Sequence, residues 1–176
     1  LQQGKILSAI HHPNIPAIYD MLESKDVLIF RQEHIEGYSL RETIDALNAR
    51  DGRLPKEIAT SIVLDLMRAL DYTHNDVRYD GKKVRIIHCD IKPSNIILSV
   101  KGIKRKKDID DEFLKLMIQG KAKPYLIDFG ISMFQGKTYQ GINGTLNYMS
   151  RAQIGGKDID WRTDIYQLFL VYYEML

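Results

Sequence analysis

The feature that most constrains this chain is a pair of polar clusters, each set against a short apolar run. Residues 88–95 read His-Cys-Asp-Ile-Lys-Pro-Ser-Asn and lead directly into the apolar run at 96–100. Residues 128–130 read Asp-Phe-Gly and follow the apolar run at 125–127. Short apolar runs bounded by polar turn residues are typical of buried strands. Both clusters are therefore predicted to lie in loops at the ends of short strands.

In this order, the two clusters resemble the signature set of the protein kinase family. Phosphoryl transfer in that family depends on positioning and charge neutralisation more than on covalent chemistry. The resemblance implies that Asp90 orients the attacking hydroxyl and takes its proton, and that Lys92 meets the transferring phosphate. It also implies that Asn95 and Asp128 supply the oxygen ligands that Mg²⁺ prefers. A lysine at position 92 resembles Ser/Thr rather than Tyr kinases.

The resemblance extends to the side of the domain that would bind ATP. Residues 12–14, His-Pro-Asn, are similar to the turn that follows the regulatory helix of the small lobe. Residues 32–35 resemble the gatekeeper and hinge. That match implies that the main chain of Glu33 and Ile35 hydrogen-bonds adenine, and that Ser39 lies where the ribose contact is often found.

Similar matches lie on the side that would receive the substrate. Gly144 and Thr145 resemble the start of the segment that holds the acceptor peptide, so Thr145 is expected near Asp90 and Lys92. Asp164 resembles the aspartate that anchors the backbone of the catalytic loop at the start of the central helix. A protein substrate is implied by the segment at Gly144 and Thr145, together with Lys92-Pro93 and Phe129-Gly130.

Composition limits the partners of the chain. Its 25 basic and 23 acidic residues leave a net charge of +2, too small to indicate nucleic acid or a membrane surface as partner. The single cysteine, Cys89, cannot form an internal disulfide, which favours a reducing, cytoplasmic location. The longest apolar stretch, residues 165–176, contains Gln167 and Glu174 and is too short to span a bilayer, so a buried helix is predicted there. Oligomeric state is not indicated.

Hydrophobic spacing predicts the remaining elements. Helices are expected over 1–10, 39–49 and 55–74, strands over 15–22, 27–30, 86–87, 96–100 and 125–127, and a polar loop over 75–85. Residues 101–123 interrupt the last two strands as an insertion with a basic first part and a helical pattern at 108–119. A solvated surface insertion is the simpler interpretation, and a docking surface is the alternative.

Three sites, two of them single residues and one a pair, depart from the family pattern. Gln3 stands where the glutamate partner of the ATP-binding lysine is expected, and an amide cannot neutralise a lysine. Cys89 replaces the arginine that usually precedes the catalytic aspartate and clamps an activating phosphate. Arg151 and Ala152 replace the usual Pro-Glu pair, which removes a buried ion pair.

We therefore expect an incomplete α+β, protein kinase-like fold over residues 1–176. Residues 1–35 would form a remnant of the small lobe with the hinge, and residues 36–176 the first part of the large lobe. The expected function is ATP- and Mg²⁺-dependent phosphorylation of Ser or Thr in proteins by the complete domain. The chain alone is expected to be inactive, because it contains neither the glycine loop nor the ATP-binding lysine. A pseudokinase that acts as a scaffold is the main alternative, and a related small-molecule phosphotransferase is another.

Overall fold

The computed structural model describes residues 2–24, 27–129, 133–134, 145–156 and 159–176. Its mixture of helices and strands agrees with the predicted α+β class. The helices are α1 Gln2–Leu7, α2 Leu40–Asn48, α3 Lys56–Asn75, α4 Asp111–Ile118, α5 Arg151–Ile154 and α6 Arg162–Met175. The strands are β1 Ile18–Ser24, β2 Val27–Gln32, β3 Tyr38–Ser39, β4 Arg78–Tyr79, β5 Lys82–Lys83, β6 Ile86–Ile87, β7 Ile96–Val100, β8 Ala122–Leu126 and β9 Met133–Phe134. Short 3-10 turns cover Pro93–Asn95 and Leu146–Tyr148.

The strands form four small antiparallel sheets. Strands β1 and β2 form a hairpin, β4 and β5 form a second hairpin, and β6 pairs with β9. The fourth sheet has the order β3-β7-β8.

The β3-β7-β8 sheet brings the two polar clusters together. Ile96 at the start of β7 lies opposite Leu126 at the end of β8. The pairing continues past the strands, because the Ile127 N–H donates to the Asn95 carbonyl at 3.0 Å. Asn95 and Asp128 therefore lie at the same end of one hairpin, as the positions of the two predicted strands require.

The N-terminal elements are shorter than predicted. Helix α1 ends at Leu7 rather than at residue 10, and β1 begins at Ile18 rather than at residue 15. Pro16 has no N–H to donate to a ladder, which accounts for the late start of β1. Between these elements the buried side chain of Asn14 donates to the Pro124 carbonyl at 2.8 Å, and the Asn14 carbonyl accepts from the Leu126 N–H at 2.8 Å. The turn after α1 is thus fixed to β8.

The long helix α3 follows its predicted apolar face. Ile62, Leu66, Ala69 and Leu70 are buried, and α3 packs against α6 and β8. An apolar stripe with helical period is what holds a surface helix to its core. No helix of the described residues combines the length and the apolar character that crossing a bilayer requires.

Helix α6 is buried on one side only, whereas the sequence predicted a buried helix. Leu168 and Val171 have no exposed surface, but Phe169 is 50% and Tyr173 80% exposed among the described residues. The run has few polar residues to mark the exposed face, and one of them, Gln167, is buried, so the pattern did not distinguish the two faces.

The predicted loop over residues 75–85 is wrong, because it contains the β4–β5 hairpin. Arg78 pairs with Lys83, and Tyr79 pairs with Lys82. The two turn residues, Asp80 and Gly81, have φ angles of 51° and 71°. Two consecutive positive φ angles are typical of tight hairpin turns, and Asp-Gly is a preferred sequence for them. The strands are too short and too charged to produce an alternating apolar pattern.

The insertion also differs from the simpler expectation. Phe113 and Met117 of α4 have no exposed surface and belong to the main hydrophobic core. Strand β8 begins at Ala122, so the last two residues of the predicted insertion belong to the sheet. The lysines of the first part are exposed, but the segment as a whole is packed onto the domain.

Candidate active site

Asp90 is the centre of a compact cluster on the loop between β6 and β7. The Lys92 ammonium donates to Asp90 Oδ2 at 2.7 Å, and Asn95 Nδ2 donates to the same oxygen at 3.1 Å. Asn95 Nδ2 also donates to the Asp90 carbonyl at 2.9 Å. The 3-10 turn Pro93–Asn95 folds the chain back, so that residues two and five positions after Asp90 reach the same carboxylate.

The second oxygen of Asp90 binds a segment that is distant in sequence. The Thr145 N–H donates to Asp90 Oδ1 at 3.1 Å, and the Lys92 ammonium donates to the Thr145 hydroxyl at 2.8 Å. The expected proximity of Thr145 to Asp90 and Lys92 is therefore confirmed. Gly144, predicted to belong to the same segment, lies outside the described residues.

The charge state of Asp90 follows from two opposing effects. Burial by itself raises the pKa of this carboxyl, because it disfavours the ionised form. The hydrogen bond and charge of Lys92 and the Thr145 amide outweigh burial, so the pKa of Asp90 lies below its ordinary value. Asp90 is therefore an ionised hydrogen-bond acceptor at neutral pH.

The donor chemistry of Asn95 and Asp128 fits a magnesium ion. Asn95 directs its amide nitrogen to Asp90, which leaves its amide oxygen as the remaining polar atom. Asp128 follows Ile127, whose N–H is bonded to the Asn95 carbonyl, and has a φ angle of 67°. An amide and a carboxylate oxygen are ligands that Mg²⁺ takes, together with water and phosphate oxygens.

The aromatic residue after Asp128 fixes this turn to the catalytic loop. The rings of Phe129 and His88 meet edge to face at 4.6 Å between their centroids. His88 Nε2 lies 2.9 Å from the Ile127 carbonyl. His88, two residues before Asp90, thus contacts the chain on both sides of Asp128.

Asp164 at the start of α6 anchors the catalytic loop, as the resemblance implied. It has no exposed surface, and its two oxygens accept the N–H groups of His88 and Cys89, each at 2.9 Å. Its Oδ2 also lies 2.8 Å from His74 Nε2 at the end of α3. His74 was not predicted as an anchor of this loop, because it lies in the last turn of α3 without any motif around it.

Two buried glutamines hold the same loop and were also missed. Gln167 accepts from the Ile91 N–H at 2.8 Å, and both Gln167 and Gln153 donate to the Cys89 carbonyl, at 3.0 and 2.8 Å. Both side chains are 1% exposed. The signal for Gln167 was present, because an amide inside an apolar run must find a partner when it is buried.

The expected nucleotide-binding residues lie in the extended stretch between β2 and α2. The Glu33 N–H donates to the Ala17 carbonyl at 2.8 Å. Because this N–H is occupied, the Glu33 carbonyl is the main-chain group that would make the predicted adenine contact. The Ser39 hydroxyl is engaged with Glu42 in a capping box at the start of α2, and Ser39 is 8% exposed. The roles of Glu33, Ile35 and Ser39 in nucleotide binding stay predictions.

Two of the departures from the family pattern meet in one small apolar cluster. Cys89 has no exposed surface and clusters with Ile87 and Ile159, and Ala152 packs against them. Cys89 also adopts a positive φ of 69°. The third departure concerns Gln3, whose side chain lies outside the described part of the structure.

Comparison with known proteins gives consistent relatives. The protein kinase domain family matches residues 1–176. The chain is 31% identical over 179 residues to the serine/threonine-protein kinase PknB of Mycolicibacterium smegmatis, covering 99% of the chain and 24% of the relative. It is 30% identical over 184 residues to a probable serine/threonine-protein kinase PknB of Bifidobacterium longum, covering 99% and 23%. It is 30% identical over 160 residues to serine/threonine-protein kinase A of Synechocystis, covering 88% and 26%.

The chain thus spans about a quarter of the length of these relatives. The match over all 176 residues covers the Asp90 cluster, the hairpin that joins it to Asp128, and the Asp164 anchor. This chain belongs to the protein kinase family.

Proposed function

We propose that this chain carries the acceptor-side catalytic groups of a Ser/Thr protein kinase, which transfers the terminal phosphate of ATP to protein hydroxyls with Mg²⁺. One observation supports this most strongly: Asp90, Lys92 and Thr145 share hydrogen bonds although Thr145 is more than 50 residues away in sequence. The same function is supported by relatives that are named serine/threonine-protein kinases. Transfer by the complete domain and a cytoplasmic location belong to the proposal.

The proposed division of work follows from the contacts. The ionised Asp90 accepts the hydrogen of a substrate hydroxyl and orients its oxygen for attack. The Lys92 ammonium, held between Asp90 and Thr145, offsets the negative charge that develops on the transferred group. Asn95 and Asp128 are the proposed magnesium ligands, and the bound ion would neutralise phosphate charge. Thr145 fixes the substrate segment beside these groups.

The test compares Asp90→Asn with the wild type in the complete protein. Asparagine keeps the shape but removes the negative charge that accepts the proton, so phosphate transfer should fall by about 10²- to 10⁴-fold. Asp71→Asn is the control, because Asp71 is an exposed carboxylate of α3 that accepts a hydrogen bond from Asn75 one turn away. Unchanged transfer in Asp90→Asn would contradict the assignment.

A second measurement on the same two proteins distinguishes an enzyme from a pseudokinase. Nucleotide binding is followed as a rise in the thermal unfolding midpoint with ATP, with and without Mg²⁺. A ligand at about 100 times its Kd stabilises the folded state by roughly 2.7 kcal/mol, which is readily measured. Magnesium-dependent stabilisation that persists in Asp90→Asn agrees with the proposal. A wild type that binds nucleotide but transfers no phosphate would instead support the scaffold alternative.

A further inference from the structure

The segment that follows the expected hinge, residues 36–42, lies directly against β7. Tyr38 and Ser39 form β3 and pair with Leu98 and Ile97. Gly37 has no space for a side chain, because a Cβ there would lie 2.3 Å from the Leu98 carbonyl oxygen. One side of this post-hinge segment is therefore fixed by the strand that leaves the catalytic loop.

On its other side the post-hinge segment is contacted by the insertion, where Arg105 makes several of the contacts. Its guanidinium donates to the Gly37 carbonyl at 3.0 Å and to both carboxylate oxygens of Glu42. Its main-chain N–H donates to the Glu36 carboxylate. The guanidinium also lies over the Tyr38 ring, 5.1 Å from its centroid, in the geometry of a cation–π contact.

Tyr38 completes the connection from the opposite direction. Its hydroxyl accepts from the Lys106 N–H at 2.9 Å and donates to the Asp108 carbonyl at 3.3 Å. Its ring meets Phe113 of α4 at 4.7 Å, and only 1% of Tyr38 is exposed. Because Phe113 and Tyr38 both belong to the main hydrophobic core, Tyr38 connects the contacts of Arg105 to that core.

We propose that residues 101–119, the insertion arm, fix the post-hinge segment and thereby set the affinity for nucleotide, with Arg105 as the positioning residue. The inference rests on the proposed function and on the nucleotide contacts that the family resemblance predicts for Ile35 and Ser39. Glu36, which binds the Arg105 N–H, follows Ile35 directly. Ser39 lies between Gly37 and Glu42, the two residues to which the Arg105 guanidinium donates. Ordering these residues before the nucleotide binds reduces the entropy lost on binding.

The first measurement is the steady-state kinetics of the complete protein carrying Arg105→Ala. Without Arg105 the post-hinge segment loses ordering contacts equivalent to about one net hydrogen bond. The KM for ATP should therefore rise by about fivefold, and kcat should stay within about twofold of the wild type. The KM for ATP of Arg105→Lys should lie between the values for Arg105→Ala and the wild type. An ammonium can pair with Glu42 but cannot bind Glu42 and the Gly37 carbonyl at the same time. Lys104→Ala and Lys107→Ala are controls, since both lysines are exposed neighbours of Arg105.

The second measurement does not depend on catalysis. Amide hydrogen exchange without nucleotide should be faster over residues 37–42 in Arg105→Ala and unchanged in the two lysine controls. An unaltered KM for ATP, or unaltered exchange in this segment, overturns the inference. A wild type that neither binds ATP nor transfers phosphate overturns the proposed function and the nucleotide part of this inference. The exchange data then still decide whether the arm orders the segment.

Discussion

Asp164 accepts hydrogen bonds through both of its carboxylate oxygens without any contact with solvent. A neutral amide at this position could offer only one oxygen to the two N–H groups of His88 and Cys89. Its NH₂ group would face a backbone N–H, and two donors cannot satisfy each other. The position therefore requires an acid for the geometry of the loop, although Asp164 does not reach the reacting groups.

Asp164→Asn should accordingly reduce both stability and turnover. Leaving a buried N–H without an acceptor costs about 1–3 kcal/mol in the free energy of unfolding. Displacing Asp90, one residue beyond Cys89, should lower kcat by about 10- to 100-fold. Urea unfolding and steady-state kinetics measure the two effects, with Asp71→Asn as the exposed control. Normal turnover in a stably folded Asp164→Asn protein would show that the loop keeps its geometry without this anchor.

Among single residues, those that belong to a recognisable motif were predicted from the sequence. Residues that support the loop only through their position in the folded chain were missed. Asp90, Lys92 and Thr145 were predicted because the motifs that contain them resemble those of the protein kinase family. Gln153 and His74 were missed because any buried donor at the right place could bind the loop, so no fixed spacing identifies them. Cys89 and Ala152 were two separate departures in sequence and are neighbours in space.

At the scale of elements, the ion pair between α2 and the insertion arm has a pH dependence of its own. The hydrogen bond from Arg105 is the main cause that lowers the pKa of Glu42 from 4.5 to about 2, against an opposing effect of burial. A carboxyl whose pKa is lower in the folded than in the unfolded state stabilises the folded state. This contribution is complete at a pH above the unfolded-state pKa and is lost as the pH falls through the folded-state pKa. The relevant window is therefore pH 4.5 down to about 2.

We predict that the pKa of Glu42 returns towards 4.5 in Arg105→Ala. Nuclear magnetic resonance titration of the Glu42 carboxyl measures this directly. Both side chains are more than one-third exposed, so added salt should weaken the effect in the wild type. The ion pair between Asp65 and Arg68 is a matched control, and its removal in Arg68→Ala should leave the titration of Glu42 unchanged. A pKa of Glu42 near 4.5 in the wild-type protein would contradict the ion pair between Glu42 and Arg105.

Elements were predictable where one physical cause dominated. Helix α3 has a continuous apolar stripe and a proline at its start, and both features are visible in the sequence. The β4–β5 hairpin was missed because its strands are only two residues long, so that the single partly buried side chain among their four residues, Tyr79, makes no alternating pattern. Helix α4 was predicted from its period, but its partner could not be, because Phe113 meets Tyr38, 75 residues earlier in the chain.

At the scale of the whole molecule, a polar tie joins the start of α2, the segment after Thr145 and the end of α6. The Arg41 guanidinium donates to the Tyr148 hydroxyl at 2.9 Å and to the Glu174 carboxylate at 2.8 Å. Tyr148 in turn donates to Glu174 at 2.6 Å. Burial first, and then the bond to Glu174, raise the pKa of Tyr148 to about 12, so its hydroxyl keeps its proton at physiological pH.

Tyr148→Phe should affect the protein substrate and spare the nucleotide. The change removes both hydrogen bonds of the hydroxyl and loosens the turn that follows Thr145. We expect the KM for a protein substrate to rise by about fivefold, equivalent to about 1 kcal/mol, with the KM for ATP unchanged. This is the reverse of the pattern expected for Arg105→Ala. If both variants altered the same KM, the two ties would not act on separate substrates.

The insertion enters the β7–β8 hairpin at the end that is farthest from Asn95 and Asp128. Val100 pairs with Ala122 at the insertion end, and Ile96 pairs with Leu126 at the catalytic end, about 13 Å away at roughly 3.3 Å per residue. Closing a longer loop is inexpensive, since each doubling of its length costs only about 0.6 kcal/mol. The hairpin thus acts as a spacer: a change of length at its distal end leaves the register that sets Asn95 beside Ile127 and Asp128 at the other end in place.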